Sequence, residues 1–296
     1  MADSLRNTTE QQQPQYTEAV IRQTCASDIG QKFVYIVVED IEDKLTYEKF
    51  LNSEDIHVMI SQDEEGNRGY QNVEDIVTHI RQDQVTLRIC GIRDADYTRY
   101  EDTPHVFPDA VFTTDQRDLE MMLLASTSVQ DGLSKWNISA TSLLPQVYDD
   151  ARQMGYLRIC NHVCNLGCNF KRKVRLSKVW DDKTHQLNNN WEQELRTLFV
   201  QNCGNQHSSY FPYSIEKLDS FIKNLKLETE SVYAICQGHD VVWLFYNRLP
   251  QNSFDINLIE KVMISSYSKQ DFESTQLYTS LINWGLELNI VIKMPS

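Results

Sequence analysis

The most regular hydrophobic pattern lies between residues 33 and 124, where short apolar runs alternate with stretches of helical periodicity. The apolar runs cover residues 33–38, 56–60, 85–92 and 111–113. Apolar residues recur at helical spacing over 43–51 and 69–81 and again from residue 119. A continuous apolar run is typical of a strand buried on both faces, and strands alternating with helices predict a mostly parallel sheet covered by helices.

The pattern changes after about residue 140. Helical periodicity dominates there, over residues 143–170, 191–200, 215–225, 241–249 and 272–288. Residues 1–14 are polar and show no period. We therefore predict an α/β fold with a Rossmann-like, mostly parallel core and a mainly helical C-terminal half. The predicted bounds are an N-terminal arm at 1–30, the core at 31–140 and the helical region at 141–296.

Charge and composition narrow the class of protein. The 296 residues carry 28 Lys and Arg against 42 Asp and Glu, a formal net charge of −14, which excludes a simple cationic coat for nucleic acid. No apolar run approaches the roughly 18–20 residues of a membrane span, and no secretory signal opens the chain, so a cytoplasmic protein is expected. Neither glycine-rich nucleotide motif is present, so ATP hydrolysis by this chain is not expected.

The seven cysteines are odd in number, which argues against a disulfide framework in a chain with no secretory signal. Cys160, Cys164 and Cys168 are spaced by four, so they would share one face of a helix. A structural zinc site would need a fourth ligand, for which Cys203 and His207 are the candidates. Free cysteine often packs as a small hydrophobe, and this interpretation is favoured over zinc.

Acidic residues follow several predicted strands. Glu39 ends the first strand, and Asp94 and Asp96 end the third, where a strand period of two would put both carboxylates on one side. Asp118 and Glu120 open the helix after the fourth strand. Ligands bind at the carboxyl ends of parallel strands, and clustered carboxylates favour a hard cation such as Mg²⁺. For Asp43 and Asp118, capping of the following helix is the alternative.

These motifs resemble a known family. Residues 37–43, 91–96 and 114–120 look like the TOPRIM catalytic core, a strand-end glutamate followed by an Asp-x-Asp pair. The closer resemblance is to OLD-like TOPRIM nucleases, particularly the effector nucleases of PARIS-type phage defence, whose Gly-His-Asp element residues 237–240 fit. The family usually has Gly after the glutamate. Here Asp40 stands at that position, so we expect it to adopt the left-handed turn that favours glycine.

The resemblance implies a nuclease that depends on Mg²⁺ or Mn²⁺ and acts as a toxic effector under the control of an ABC-type ATPase. It implies cleavage of RNA, with tRNA as one option, or of DNA, by an active homodimer that needs no membrane. The implied metal ligands are Glu39, Asp43, Asp94, Asp96, Asp118 and Glu120. The implied catalytic residues are Glu39, Asp94, Asp96, Glu120 and His239. The alternative is a non-catalytic acidic partner subunit.

Basic residues supply candidate substrate contacts. Lys44 and Arg93 flank the acidic motifs. The basic segment, residues 171–178, holds five bases and no acid, and four of them are predicted to contact substrate phosphates: Lys171, Arg172, Lys173 and Arg175. A solvated surface is the alternative for each. His239 is predicted to donate a proton to the leaving oxygen, unless Asp240 caps the following helix while His239 packs beneath it.

Overall fold

A computed structural model describes residues 15–51, 54–103, 105–137, 139–203, 215–249, 255–290 and 292. The chain divides into two compact units. The first unit comprises Met1–Asp94, Val106–Asp115 and Ser268–Ser296, and the second comprises Ala95–His105 and Gln116–Tyr267. The polar stretch at residues 1–14 lies outside the described residues.

The first unit is built on a five-stranded sheet in which every strand pairing is parallel. Its strands are β1 (Gln15–Tyr16), β2 (Val34–Val38), β3 (Ile56–Ser61), β4 (Ile89–Arg93) and β5 (Val111–Thr113). Their order across the sheet is β1-β3-β2-β4-β5. The predicted α/β class with a parallel sheet is therefore confirmed. The third strand begins later than its apolar run, which starts at residue 85.

Thirteen α-helices occur in the described ranges. They are α1 (Glu18–Ala26), α2 (Ile41–Leu51), α3 (Tyr70–Gln82), α4 (Leu119–Leu124), α5 (Thr127–Trp136), α6 (Ala140–Val163), α7 (Trp191–Asn202), α8 (Ile215–Asn224), α9 (Val232–Ile235), α10 (Gly238–Arg248), α11 (Ile256–Ser266), α12 (Lys269–Glu273) and α13 (Gln276–Glu287). The first unit contains α1–α3, α12 and α13, and the second contains α4–α11.

Burial explains the continuous apolar runs of the first unit. All five residues of β2 are buried, as expected for a central strand with both faces covered. Gly91 in β4 allows α3 to approach closely, because a Cβ there would lie 2.6 Å from Val73 Cγ1. The order of the strands reverses between β2 and β4: β3 lies on one side of β2, and the chain then crosses to place β4 on the other. Such a reversal is a topological switch point.

The second unit is mainly helical, in agreement with the prediction for most of the C-terminal half. Its remaining regular structure includes a hairpin of β6 (Trp180–Asp181) and β7 (Gln186–Leu187). The longest described helix is α6, with 24 residues. No helix in the described ranges combines the length and apolar character needed to cross a membrane.

Three predicted boundaries differ from the structure. Part of the predicted arm at 1–30 forms β1 and α1. The helix predicted over 143–170 ends at Val163, because the chain turns at Asn165 and Gly167, whose φ values are 49° and 65°. The predicted C-terminal region, 141–296, is shared: α12 and α13 belong to the first unit.

Candidate functional site

In the first unit, two predicted site residues follow neighbouring strands at the switch point. Glu39 comes directly after β2 and Asp94 directly after β4, and these strands pair in parallel register. The Asp94 backbone N–H donates a 2.9 Å hydrogen bond to Glu39 Oε1. Both side chains are half-buried. The strand ends thus bring Glu39 and Asp94 together where parallel α/β sheets bind ligands.

Asp40 and Asp43 have a capping role. Asp40 Oδ1 accepts from the backbone N–H of Glu42 at 3.1 Å and of Asp43 at 3.3 Å, and Asp43 Oδ2 accepts from the Asp40 N–H at 3.2 Å. This reciprocal arrangement satisfies donors at the start of α2. Asp40 is not among the described residues with positive φ, so the predicted left-handed turn is wrong. The 8% exposed side chain of Asp43 is accounted for without a metal ion.

The two flanking cations differ from their predicted roles. Arg93 is 2% exposed, lies 3.9 Å from the centroid of the Tyr70 ring, and pairs with Glu74 at 2.5 Å. This buried position does not favour the predicted contact with a substrate phosphate. Lys44 Nζ lies 3.6 Å from Glu48 Oε1, one turn along α2, and its side chain is largely buried. Arg93 and Lys44 therefore stabilise the first unit through local pairing.

Asp94 and Asp96 do not share a strand face. Because β4 ends at Arg93 and Asp96 has a φ of 48°, the predicted period-two arrangement is wrong. Asp96 belongs to the second unit, where its N–H donates to the Arg117 carbonyl at 2.8 Å. Its Oδ1 accepts from Arg117 Nη2 at 3.0 Å. The residue is thus tied to Arg117 by both backbone and side chain.

Asp118 is the most deeply buried carboxylate of the predicted set, with 1% exposure. It is the N-cap of α4, since Oδ1 accepts from the Met121 N–H at 2.9 Å. Oδ2 accepts from the Gly238 N–H at 2.8 Å and forms an ion pair with Arg117. The capping alternative for Asp118 is confirmed, and both of its oxygens are already engaged.

The Gly-His-Asp element is the first turn of α10, which begins at Gly238. Only glycine fits there, because a Cβ would lie 2.3 Å from Glu120 Cβ and 2.8 Å from Asp118 Oδ1. His239 Nδ1 lies 2.6 Å from Glu120 Oε1, and the His239 side chain is 52% exposed. Asp240 instead forms a two-pronged ion pair with Arg158. The alternative of a packed His239 beside a capping Asp240 is therefore wrong.

Burial and charge move the pKa values of the two acids apart. Burial raises the pKa of Asp118; the Arg117 guanidinium lowers it by less, and the Glu120 charge raises it further. Burial also disfavours the ionised form of Glu120, but the charge and hydrogen bond of His239 outweigh it and hold the pKa of Glu120 at about 2. Glu120 is therefore an ionised acceptor for His239 at neutral pH.

The predicted metal ligands fit an ion unequally. In the described ranges, no group of three or more His, Cys, Asp or Glu side chains is arranged to hold a metal ion. Mg²⁺ needs fewer, because one or two carboxylates are usually completed by waters and substrate phosphates. Glu39 and Asp94 supply such a pair. Asp118 and Glu120 do not fit a second ion, since N–H donors and cations already engage them.

The basic segment is exposed in the second unit. Its predicted phosphate contacts, Lys171, Arg172, Lys173 and Arg175, all face solvent. Val174 and Leu176 between them are buried and anchor the segment. The placement suits contact with a nucleic-acid backbone, and it equally suits a solvated surface.

Arg117 was not assigned a role from the sequence, although it joins two of the predicted acids. Its guanidinium pairs with Asp96 and Asp118 and lies 4.9 Å from the centroid of the Tyr97 ring. Its N–H also donates to the Tyr233 carbonyl at 3.1 Å. The available signal was the direct neighbourhood of Arg117 and Asp118 in the sequence.

A scan against models of protein families matches none of them, and a search of curated proteins finds no match. The resemblance to TOPRIM nucleases therefore depends on the short motifs themselves. What the chain does is proposed below from its own residues.

Proposed function

We propose that this protein is a nuclease with a TOPRIM-like core that uses Mg²⁺ or Mn²⁺ to hydrolyse phosphodiester bonds. The observation that carries the proposal is the placement of Glu39 and Asp94 after two neighbouring parallel strands at the switch point. This is the position at which an open α/β sheet binds its ligand. Two half-buried carboxylates there favour a cation and the phosphate that accompanies it.

Glu39 and Asp94 would hold a single ion, completed by water and by oxygens of the phosphate. When bound, such an ion polarises the scissile phosphate and lowers the pKa of an attacking water. The hydrogen bond from the Asp94 N–H holds the Glu39 carboxylate in position. That preorganisation matters because an ill-positioned charge contributes little to a transition state.

His239 is the proposed proton donor to the leaving oxygen. Glu120, ionised with a pKa of about 2, accepts from Nδ1 and so favours the protonated imidazole. The half-exposed ring leaves Nε2 open to solvent or substrate. The basic segment is proposed to bind the phosphate backbone of RNA, with tRNA as one option, or of DNA.

The resemblance adds a cellular role to the proposal. The nuclease would be a toxic effector of phage defence, released from an ABC-type ATPase and active as a homodimer. The net charge of −14 supports docking against a basic face, because complementary potentials steer association.

Cleavage assays with purified full-length chain test the proposal. Total RNA and plasmid DNA are incubated with and without Mg²⁺ or Mn²⁺. We expect metal-dependent cleavage of one of them and a loss of at least about 100-fold in Glu39→Gln, the size of effect that a preorganised charge contributes to a transition state. Glu54→Gln, which changes an exposed residue of the same unit, is the matched control and should retain full activity.

The non-catalytic partner subunit is the second candidate. The observation that favours it is the engagement of Asp96, Asp118 and Glu120 by Arg117 and His239. This reading predicts no cleavage with either metal. It also predicts equal toxicity of the wild type and Glu39→Gln on expression with and without the ATPase.

A further inference from the structure

Four cysteines outside the candidate site lie near one another in the second unit. Cys160, Cys164, Cys168 and Cys203 are all buried, with at most 8% exposure. The thiols of Cys160 and Cys164 form one hydrogen-bonded pair, and those of Cys168 and Cys203 form another. Electrostatic interactions join the pairs, since Cys160 interacts with both members of the second. The chain therefore gathers four thiols in one buried cluster.

Local structure brings these residues together. Cys160 lies in the last turn of α6, and Cys164 follows directly as its C-cap. The left-handed residues Asn165 and Gly167 then reverse the chain, and Cys168 N–H donates to Asn161 Oδ1 at 2.7 Å. This turn, and not the helix face expected from the spacing, returns Cys168 to the cluster.

The fourth cysteine comes from a separate helix. Cys203 is the C-cap of α7, and its thiol donates to the Phe199 carbonyl at 3.1 Å. The cluster thus joins the ends of two helices across 35 residues of chain between Cys168 and Cys203.

The segment that the cluster would fasten has little structure of its own. Between Cys164 and Asn190, the regular elements are a three-residue turn at Leu176–Lys178 and the hairpin of two-residue strands. Short loop-rich segments that bury few apolar residues commonly depend on disulfides or metals. This segment includes the exposed basic residues, so whatever holds it also sets their positions.

We propose that Cys160, Cys164, Cys168 and Cys203 bind a structural zinc ion. Four thiolates at about 2.3 Å from zinc lie about 3.8 Å apart on the edges of a tetrahedron, close to the separation of hydrogen-bonded thiols. The thiols lose their protons on binding. Because the described residues contain no preformed group of three ligands, zinc must draw the two pairs together.

The surroundings can balance the added charge. Four thiolates and one zinc carry a net charge of −2, and the Arg158 guanidinium acts on Cys168. Its hydrogen bond with Cys203 and that guanidinium lower the pKa of Cys168, against the opposing effect of burial. The bases of residues 171–178 follow a few positions later.

Metal analysis of the purified full-length chain tests the proposal. We expect one zinc per chain by elemental analysis, together with thiolate-to-metal charge-transfer absorption after exchange with Co²⁺. Removal of zinc by a chelator should lower the melting temperature and weaken nucleic-acid binding. Cys168→Ser and Cys203→Ser should lose zinc. The Co²⁺ spectrum of the unaltered chain provides the answer even where these variants do not fold.

Cys236→Ser is the matched control. This thiol is buried in the same unit and donates to the Tyr148 carbonyl, a bond that a hydroxyl can also make, so its zinc content should be unchanged. A metal-free chain without Co²⁺ charge transfer would overturn the proposal. A metal-free chain that is lighter by two hydrogens through a Cys168–Cys203 disulfide would overturn it as well. Neither result bears on the nuclease, whose carboxylates belong to other segments.

Discussion

The acidic motifs of the two units have the same composition and different surroundings. In the first unit, Glu39 and Asp94 are half-buried at strand ends, and the bond that orders them is a backbone N–H donated to a carboxylate. In the second unit, Asp118 is buried completely, and guanidinium and backbone donors surround it. One pair can accept a cation from solvent. The other is already neutralised within the protein.

The difference shows that a motif match alone does not assign a metal ligand. A carboxylate that accepts two backbone N–H groups and pairs with Arg117, as Asp118 does, must give up those bonds to ligate an ion. Leaving such buried partners unsatisfied is costly. Asp118 thus fits a structural role, which joins the starts of α4 and α10, while Glu39 and Asp94 fit the proposed chemistry.

The strongest way to break this comparison is to exchange one aspartate in each unit. We expect Asp118→Asn to lower the free energy of unfolding by about 3 kcal/mol, because it leaves buried Arg117 without one of its charges. Asp94→Asn should change it by no more than about 0.5 kcal/mol. Urea unfolding followed by tryptophan fluorescence measures both. Equal effects of the two variants would contradict the division of roles.

Gly238→Ala tests the close contact that defines the second unit's cluster. The added methyl group would overlap Glu120 and Asp118, so overpacking should cost about 1–3 kcal/mol. The stabilisation of the first unit by Mg²⁺ should persist. Thermal melts with and without the metal report both quantities. An unchanged melting temperature would show that α10 does not rest on the two acids as described.

The sheet was predictable because its information is local. Continuous apolar runs mark strands buried on both faces, and β2, β3 and β5 lie where their runs predict. The unit boundaries were not predictable, because they depend on non-local returns of the chain. Residues 106–115 come back to add β5, and residues after Tyr267 come back with α12 and α13.

The candidate site was predicted in part for a similar reason. Glu39 and Asp94 could be found from their positions after apolar runs. The separation of Asp94 from Asp96 depends on a strand that ends at Arg93 and on a left-handed residue, neither of which an alternating pattern reveals. The contacts of Glu120 with Gly238 and His239 join residues more than 100 positions apart, beyond the reach of any local period.

Acid titration should sharpen the comparison through Glu120. Its folded pKa of about 2 lies below the ordinary value of 4.5, so its contribution to stability is complete above pH 4.5. That contribution is lost as the pH falls from about 4.5 to 2. After allowance for the exposure of His239, we expect it to be about 2 kcal/mol. Glu120→Gln should remove this part of the pH dependence, whereas Glu39→Gln should retain it.

Metal-induced stabilisation gives the smallest expected effect and the most direct separation of the two acidic groups. A ligand at ten times its dissociation constant stabilises the folded state by about 1.4 kcal/mol, so Mg²⁺ should raise the melting temperature of the wild type slightly. Glu39→Gln and Asp94→Asn should each abolish this rise, because each removes one of the two charges that would hold the ion. Glu120→Gln should keep it, since His239 already engages that carboxylate. Loss of the Mg²⁺ effect in Glu120→Gln, with retention in Glu39→Gln, would transfer the metal to the second unit and reverse the comparison.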